Sequence, residues 1–198
     1  MEENPAADRG LRQPTKRRTV LKAAFGASLI LPFADVTAAA KPPHKMRPQA
    51  NDIVVFRFGE SQGKPIKPEH IPLGTEMVQA VTMDPATQIV RDGSRLNGLL
   101  LVQLEPRQLT EQTRSYAADG IIAYSSVCNH QGCDLTQWLA DSQRFKCYCH
   151  YSEFDAKDEG RPMHGPSRRK LALLPLKIEE GVLKAAGSFV GRVGFKRK

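Results

Sequence analysis

The sequence predicts a mostly β domain of antiparallel strands with one helix inserted. Runs of β-branched and aromatic residues are short and recur along the chain. Gly- and Pro-bearing turns separate them, and only one stretch carries both helix-start and helix-stop signals. This is the pattern of a small β fold rather than of alternating β-α units.

In order, residues 53–58 (Ile-Val-Val-Phe-Arg-Phe) read as a strand that ends at Gly59. Residues 59–74 hold Pro65, Pro68 and Pro72 and read as loop. Residues 76–83 alternate weakly and read as a strand turned by Asp84-Pro85, and 99–104 form a second apolar strand. Glu105-Pro106 opens a helix over 107–118, with Leu109 on its apolar side and Asp119-Gly120 ending it. Residues 121–124 are a buried strand feeding directly into Cys128. Near the C-terminus, Leu173, Leu176 and Ile178 mark a strand. Glu179-Glu180-Gly181 is a hairpin turn, 182–185 returns, and a last short strand is expected at 189–193.

The leader is distinct. Lys16-Arg17-Arg18-Thr19-Val20-Leu21-Lys22 resembles a twin-arginine export signal, with Val20 where phenylalanine is usual. A short apolar run follows, broken by Pro32 and Asp35, and Ala38-Ala39-Ala40 offers a small-residue cleavage site. The run falls short of the roughly 20 apolar residues of a membrane span. A cleaved leader is therefore the first expectation and a retained membrane anchor the second. The resulting division is a signal segment at 1–40, a Pro- and Lys-rich linker at 41–51 and a folded domain at 52–195. The net charge of +8 is spread along the chain without aromatic-basic interleaving. That excludes a nucleic-acid reader and leaves solubility or a negatively charged protein partner.

All four cysteines and two of the five histidines fall in one stretch. It reads Cys128-Asn129-His130-Gln131-Gly132-Cys133, then Cys147-Tyr148-Cys149-His150-Tyr151-Ser152. Each half offers a cysteine and a histidine, plus one further cysteine. Two Cys with two His is the ligand set of a cluster in which imidazoles replace thiolates on one of two irons. A Cys2His2 zinc site is the alternative. The mixed C-x-H and C-x-x-H pairs, the extra cysteine in each half and the export signal argue against it.

Both halves resemble the Rieske iron–sulfur pattern C-x-H-x-G-C and C-x-C-H-x-S. The resemblance implies a 2Fe-2S cluster, with Cys128 and Cys147 on one iron and His130 and His150 on the other. It implies a Cys133–Cys149 disulfide tying the two loops, worth roughly 3 kcal/mol on a loop-entropy estimate. The fold implied is stacked antiparallel sheets with a small cluster-binding subdomain at about residues 126–166. Gly165-Pro166-Ser167-Arg168 matches the loop that covers the cluster in that family. Ser152 matches a serine whose hydroxyl bonds a bridging sulfide. Phe154 stands where high-potential members carry a tyrosine that hydrogen-bonds a ligand sulfur. The missing hydroxyl is worth on the order of 1–3 kcal/mol, or roughly 40–130 mV for a one-electron couple. A potential in the middle or lower part of the family's range follows.

The resemblance leaves the irons no open position, so the chain is expected to carry electrons and to have no substrate site of its own. The second loop and the leader resemble the small subunit of an exported molybdenum oxidoreductase of the arsenite oxidase type, although Tyr148 stands where proline is usual. That reading expects a larger molybdopterin subunit as partner. The alternatives are the Rieske subunit of a cytochrome bc quinol–cytochrome c reductase, with cytochrome b as partner, and a free periplasmic Rieske ferredoxin. Gln131, Tyr151 and Phe154 depart from the leucine, glycine and tyrosine usual in the cytochrome bc subunit. A cytochrome c-like acceptor and a periplasmic location complete the expectation.

Overall fold

The computed structural model describes residues 41–195. The leader and the C-terminal Lys196-Arg197-Lys198 lie outside the described residues. Eleven strands form two sheets, and all the paired strands are antiparallel. The larger sheet contains β1 (Ile53–Phe56), β2 (Val78–Met83), β3 (Leu99–Gln103), β4 (Ile121–Ser125), β9 (Leu173–Leu174), β10 (Leu176–Glu179) and β11 (Val182–Ala185). Its strand order is β10-β11-β1-β2-β3-β4-β9. The sheet curls far enough that β10, at one edge, comes against β4 near the other.

Strand alternation explains why both faces of this sheet are buried. Leu99, Leu101, Ile121 and Ala123 point to one side and pack with Val54, Ile66, Leu174 and Leu183. Leu100, Val102, Ile122 and Tyr124 point to the other and pack with Cys128, Leu135, Phe145, Cys147 and Phe154. The second face is therefore the floor on which the cysteine-bearing loops rest.

The smaller sheet contains β5 (Gln137–Leu139), β6 (Arg144–Lys146), β7 (Glu153–Asp155) and β8 (Arg161–His164), in that order. Sequence periodicity does not reveal these strands, because three or four residues are too few to set a period of two. Their connections carry the chemistry. The first loop lies between β4 and β5, the second between β6 and β7, and the covering segment between β8 and β9.

The inserted helix is shorter than expected. α1 spans Glu111–Tyr116, and a separate 3-10 turn covers Pro106–Gln108. Thr110 ends the turn's influence and caps α1, its hydroxyl accepting from the Thr113 N–H. Asp119 and Gly120 both take left-handed φ angles of 48° and 78°. They form the tight turn that brings Ala118 against Ile121. The strand expected at 189–193 reduces to a single bridge between Leu173 and Val190.

Residues 41–51 are not a free linker. The Asn97 amide donates to the Met46 carbonyl, Arg91 donates to the Pro43 carbonyl, and the Gly93 N–H donates to His44. Arg91 is itself buried and grips Asp52 through two nitrogens, at 2.6 and 2.9 Å. The Pro- and Lys-rich composition suggests a tether, but side chains far along the chain hold the segment onto the domain.

Candidate metal centre

The first loop closes on itself through its backbone. The Cys128 N–H donates to the Cys133 carbonyl and the Gly132 N–H to the Cys128 carbonyl, at 2.8 and 3.0 Å. The second loop closes in the same way, the Cys147 N–H donating to the Ser152 carbonyl at 2.8 Å. A disulfide joins the loops between Cys133 and Cys149, whose Cα atoms lie 6.6 Å apart. Cys128 and Cys147 remain free and are both buried. The Cys147 sulfur also lies within 4.8 Å of both disulfide sulfurs. Those two are bonded to each other, so Cys128 and Cys147 are the sulfur donors left among the described residues.

The imidazoles of His130 and His150 stand edge to face, ring centroids 4.7 Å apart. His150 is exposed and His130 half-buried. Nδ1 of His130 is fully buried and has no hydrogen-bond partner. A buried ring nitrogen without a partner is costly unless something else occupies it.

The thiols sit in an apolar shell of Phe145, Phe154, Leu135 and Tyr124, with half-buried Trp138 packed against it. Burial pushes the Cys128 thiol up to about 11. The His130 N–H works against that rise, and the neighbouring Cys147 adds to it. Ser152 is fully buried, and its hydroxyl accepts from the Ser167 N–H at 3.2 Å. Phe154 is fully buried in β7, opposite Phe145 in β6. Gly165 has φ +81°, and a Cβ there would meet Ser152 Cα at 2.6 Å and Tyr151 O at 2.9 Å. Only glycine lets the covering segment approach the second loop this closely. Pro166 is exposed.

A model of the Rieske 2Fe-2S domain matches residues 75–175, just over half of the chain. The chain belongs to the Rieske 2Fe-2S domain family. Its cofactor is a 2Fe-2S cluster, and its function is one-electron transfer through that cluster. The cytochrome bc1 complex Rieske iron-sulfur subunit of Corynebacterium glutamicum is 35% identical over 136 residues, 62% of this chain and 33% of that protein. The subunit of the same name from Mycobacterium tuberculosis is 32% identical over 179 residues, 85% of this chain and 38% of that protein. The chain thus spans well under half the length of these curated relatives. Among solved structures, the soluble domain of the Rieske protein II from Sulfolobus acidocaldarius is 24% identical. The match covers 50% of this chain and 67% of that one, with a TM-score of 0.39.

The residues present fit a Rieske cluster. Two buried cysteines are free of any disulfide, and one buried imidazole nitrogen has no hydrogen-bond partner. Both thiols can lose their protons to iron, although burial disfavours the free Cys128 thiolate. Two contributors escape notice in the sequence. Asn129, between Cys128 and His130, and Ser167, after Gly165-Pro166, are both buried and hydrogen-bonded to each other. Their residue types carry no chemical signal, and only their placement reveals them.

Proposed function

We propose that the chain is the electron-transfer subunit of a quinol-oxidising cytochrome bc-type complex. Cys128 and Cys147 would hold one iron and His130 and His150 the other. When bound, the cluster supplies a site that takes up and gives back one electron. The chain's own residues do the rest. The aromatic and aliphatic shell keeps water from the thiols. The disulfide and the Gly165 approach hold the loops around the site, and exposed His150 faces the partner. Gln131, Tyr148 and Tyr151 are exposed around it, Tyr148 and Tyr151 by 66% and 55%.

The observation that carries this reading is the pair of adjacent imidazoles, one with a buried nitrogen free for iron, beside two free buried thiols. The choice of complex is supported by the relatives, which carry the cytochrome bc1 name over as much as 85% of this chain. A second reading keeps specific support. Phe154, buried and without a hydroxyl, suits a lower-potential subunit of the arsenite oxidase type. Purification of the tagged full chain from its native membranes in mild detergent separates them. Haem b absorbance and a Rieske-type electron paramagnetic resonance (EPR) signal are the expected outcome. A co-purifying molybdenum protein would replace the first reading with the second, and absence of the EPR signal would end both.

We also propose export by the twin-arginine route into the periplasm, with retention of the leader as a membrane anchor as the alternative. No helix among the described residues is long and apolar enough to cross a membrane. Replacing Arg17 and Arg18 by lysine should leave the protein in the cytoplasm, read by fractionation.

A further inference from the structure

The loops that build the site are tied by a second link besides the disulfide, and the link passes through three buried polar side chains. Asn129 is only 7% exposed. Its amide nitrogen donates to the carbonyls of Arg169 and Lys170, at 2.8 and 2.7 Å. Its amide oxygen accepts from the Ser167 hydroxyl. Ser167, 4% exposed, in turn donates its backbone N–H to the Ser152 hydroxyl oxygen. The chain Asn129–Ser167–Ser152 therefore runs from the first loop, through the covering segment, to the second loop.

Neither loop needs this chain for its own turn, because each closes through backbone hydrogen bonds. The covering segment is tied to the first loop through it. Asn129 holds that segment at three successive points of contact, Ser167, Arg169 and Lys170. At the other end, the Ser152 oxygen is already an acceptor. Among the described residues its hydroxyl hydrogen has no acceptor, although the residue is fully buried beside Cys147. A buried hydroxyl normally finds a partner for its hydrogen. The Ser167 N–H thereby fixes which way the Ser152 hydrogen cannot point and leaves it directed at the site.

We infer that Asn129 and Ser167 are positioning residues that aim the Ser152 hydroxyl at the cluster and so hold its potential up. A donor directed at a group that gains an electron favours the reduced state. Without Asn129 the covering segment loosens, Ser167 drifts, and the Ser152 donor loses its direction. The inference rests on cluster binding at this site, and the experiment keeps the two apart.

The full chain with its cluster is compared with Asn129→Ala, Ser167→Ala, Ser167→Thr, Ser152→Ala and the double variant Asn129→Ala/Ser152→Ala. The readouts are midpoint potential, EPR spectrum and rate of iron loss to a chelator. Asn129→Ala should lower the potential so that the oxidised-to-reduced ratio changes about tenfold, about 59 mV for one electron. Ser167→Ala should move it the same way, and Ser167→Thr, which keeps the hydroxyl, should retain the parent value. The double variant should fall no lower than Ser152→Ala alone, since both changes remove one donor. Iron loss should be faster in Asn129→Ala. An unchanged potential in a variant that keeps its EPR signal, or fully additive effects, would overturn the inference. If Asn129→Ala holds no cluster, the Ser167 pair decides the question by the same criteria. A parent protein without a Rieske signal would instead overturn the cluster reading.

Discussion

His130 and His150 come from different loops yet stand edge to face, their planes 86° apart. The buried Nδ1 of His130 gains nothing from the protein around it. An unpartnered buried nitrogen costs about 1–3 kcal/mol. His130→Ala should therefore leave the cluster-free protein as stable as the parent, or more stable by about 1 kcal/mol, in urea unfolding. The same change should abolish the visible absorbance and EPR signal of the cluster. A structural histidine would give the opposite pattern, with loss of stability and a retained signal.

Phe154→Tyr places a hydroxyl in the apolar shell that holds Cys128 and Cys147. A hydrogen bond to a charged sulfur contributes on the order of 1–3 kcal/mol, so the midpoint potential should rise by roughly 40–130 mV. Protein-film voltammetry checks this. A potential that stays put would mean that the hydroxyl finds another acceptor and that Phe154 is not what lowers the potential.

The donor set was legible because its chemistry is local. Cys128 with His130 and Cys147 with His150 need only a fixed spacing within one turn of chain. The left-handed φ of 55° at Tyr151 gives a physical reason for the glycine usual in the quinol-oxidising subunit. What the sequence hid depends on residues far apart. Asn129 and Ser167 look like ordinary turn residues until the fold sets the Asn129 amide nitrogen 2.8 Å from the Arg169 carbonyl and its oxygen against the Ser167 hydroxyl. Gln137–Leu139 and Arg144–Lys146 are too short to show a period. The helix expected at 107–118 merged two starts, one at Pro106 and one at Thr110, that the structure keeps separate.

Asp84 gives the fold a pH-dependent contribution. The N–H groups of Thr87 and Ala86, and then Arg91, hold its carboxyl below the ordinary carboxylate range. A lowered folded-state value means that Asp84 stabilises the fold above the unfolded carboxylate value of about 3.9. That contribution disappears as pH falls through the folded value. Asp84→Asn keeps the acceptor and removes the charge. It should be less stable than the parent at neutral pH, and thermal unfolding curves of the two should converge as pH falls through the lowered folded value of Asp84. A gap that persists unchanged in acid would show that charge is not the cause.

Arg91 makes the stronger version of the same argument. Its guanidinium is 3% exposed, grips both oxygens of Asp52 and reaches Asp84 at 3.1 Å. Asp52 also accepts from the Thr82 hydroxyl and the Gln49 N–H, so one carboxylate joins the N-terminal segment to β2. Removing one member of a buried pair leaves the other charged and without its partner, at a cost of about 3–5 kcal/mol. Arg91→Ala should lose that much stability in urea, and the segment 41–51 should become open to protease first. Arg91→Met/Asp52→Leu, which removes both charges, should recover a large part of the loss. The cluster potential should not move in either variant, because the network lies at the ends of β1 and β2 and bonds to neither loop of the site.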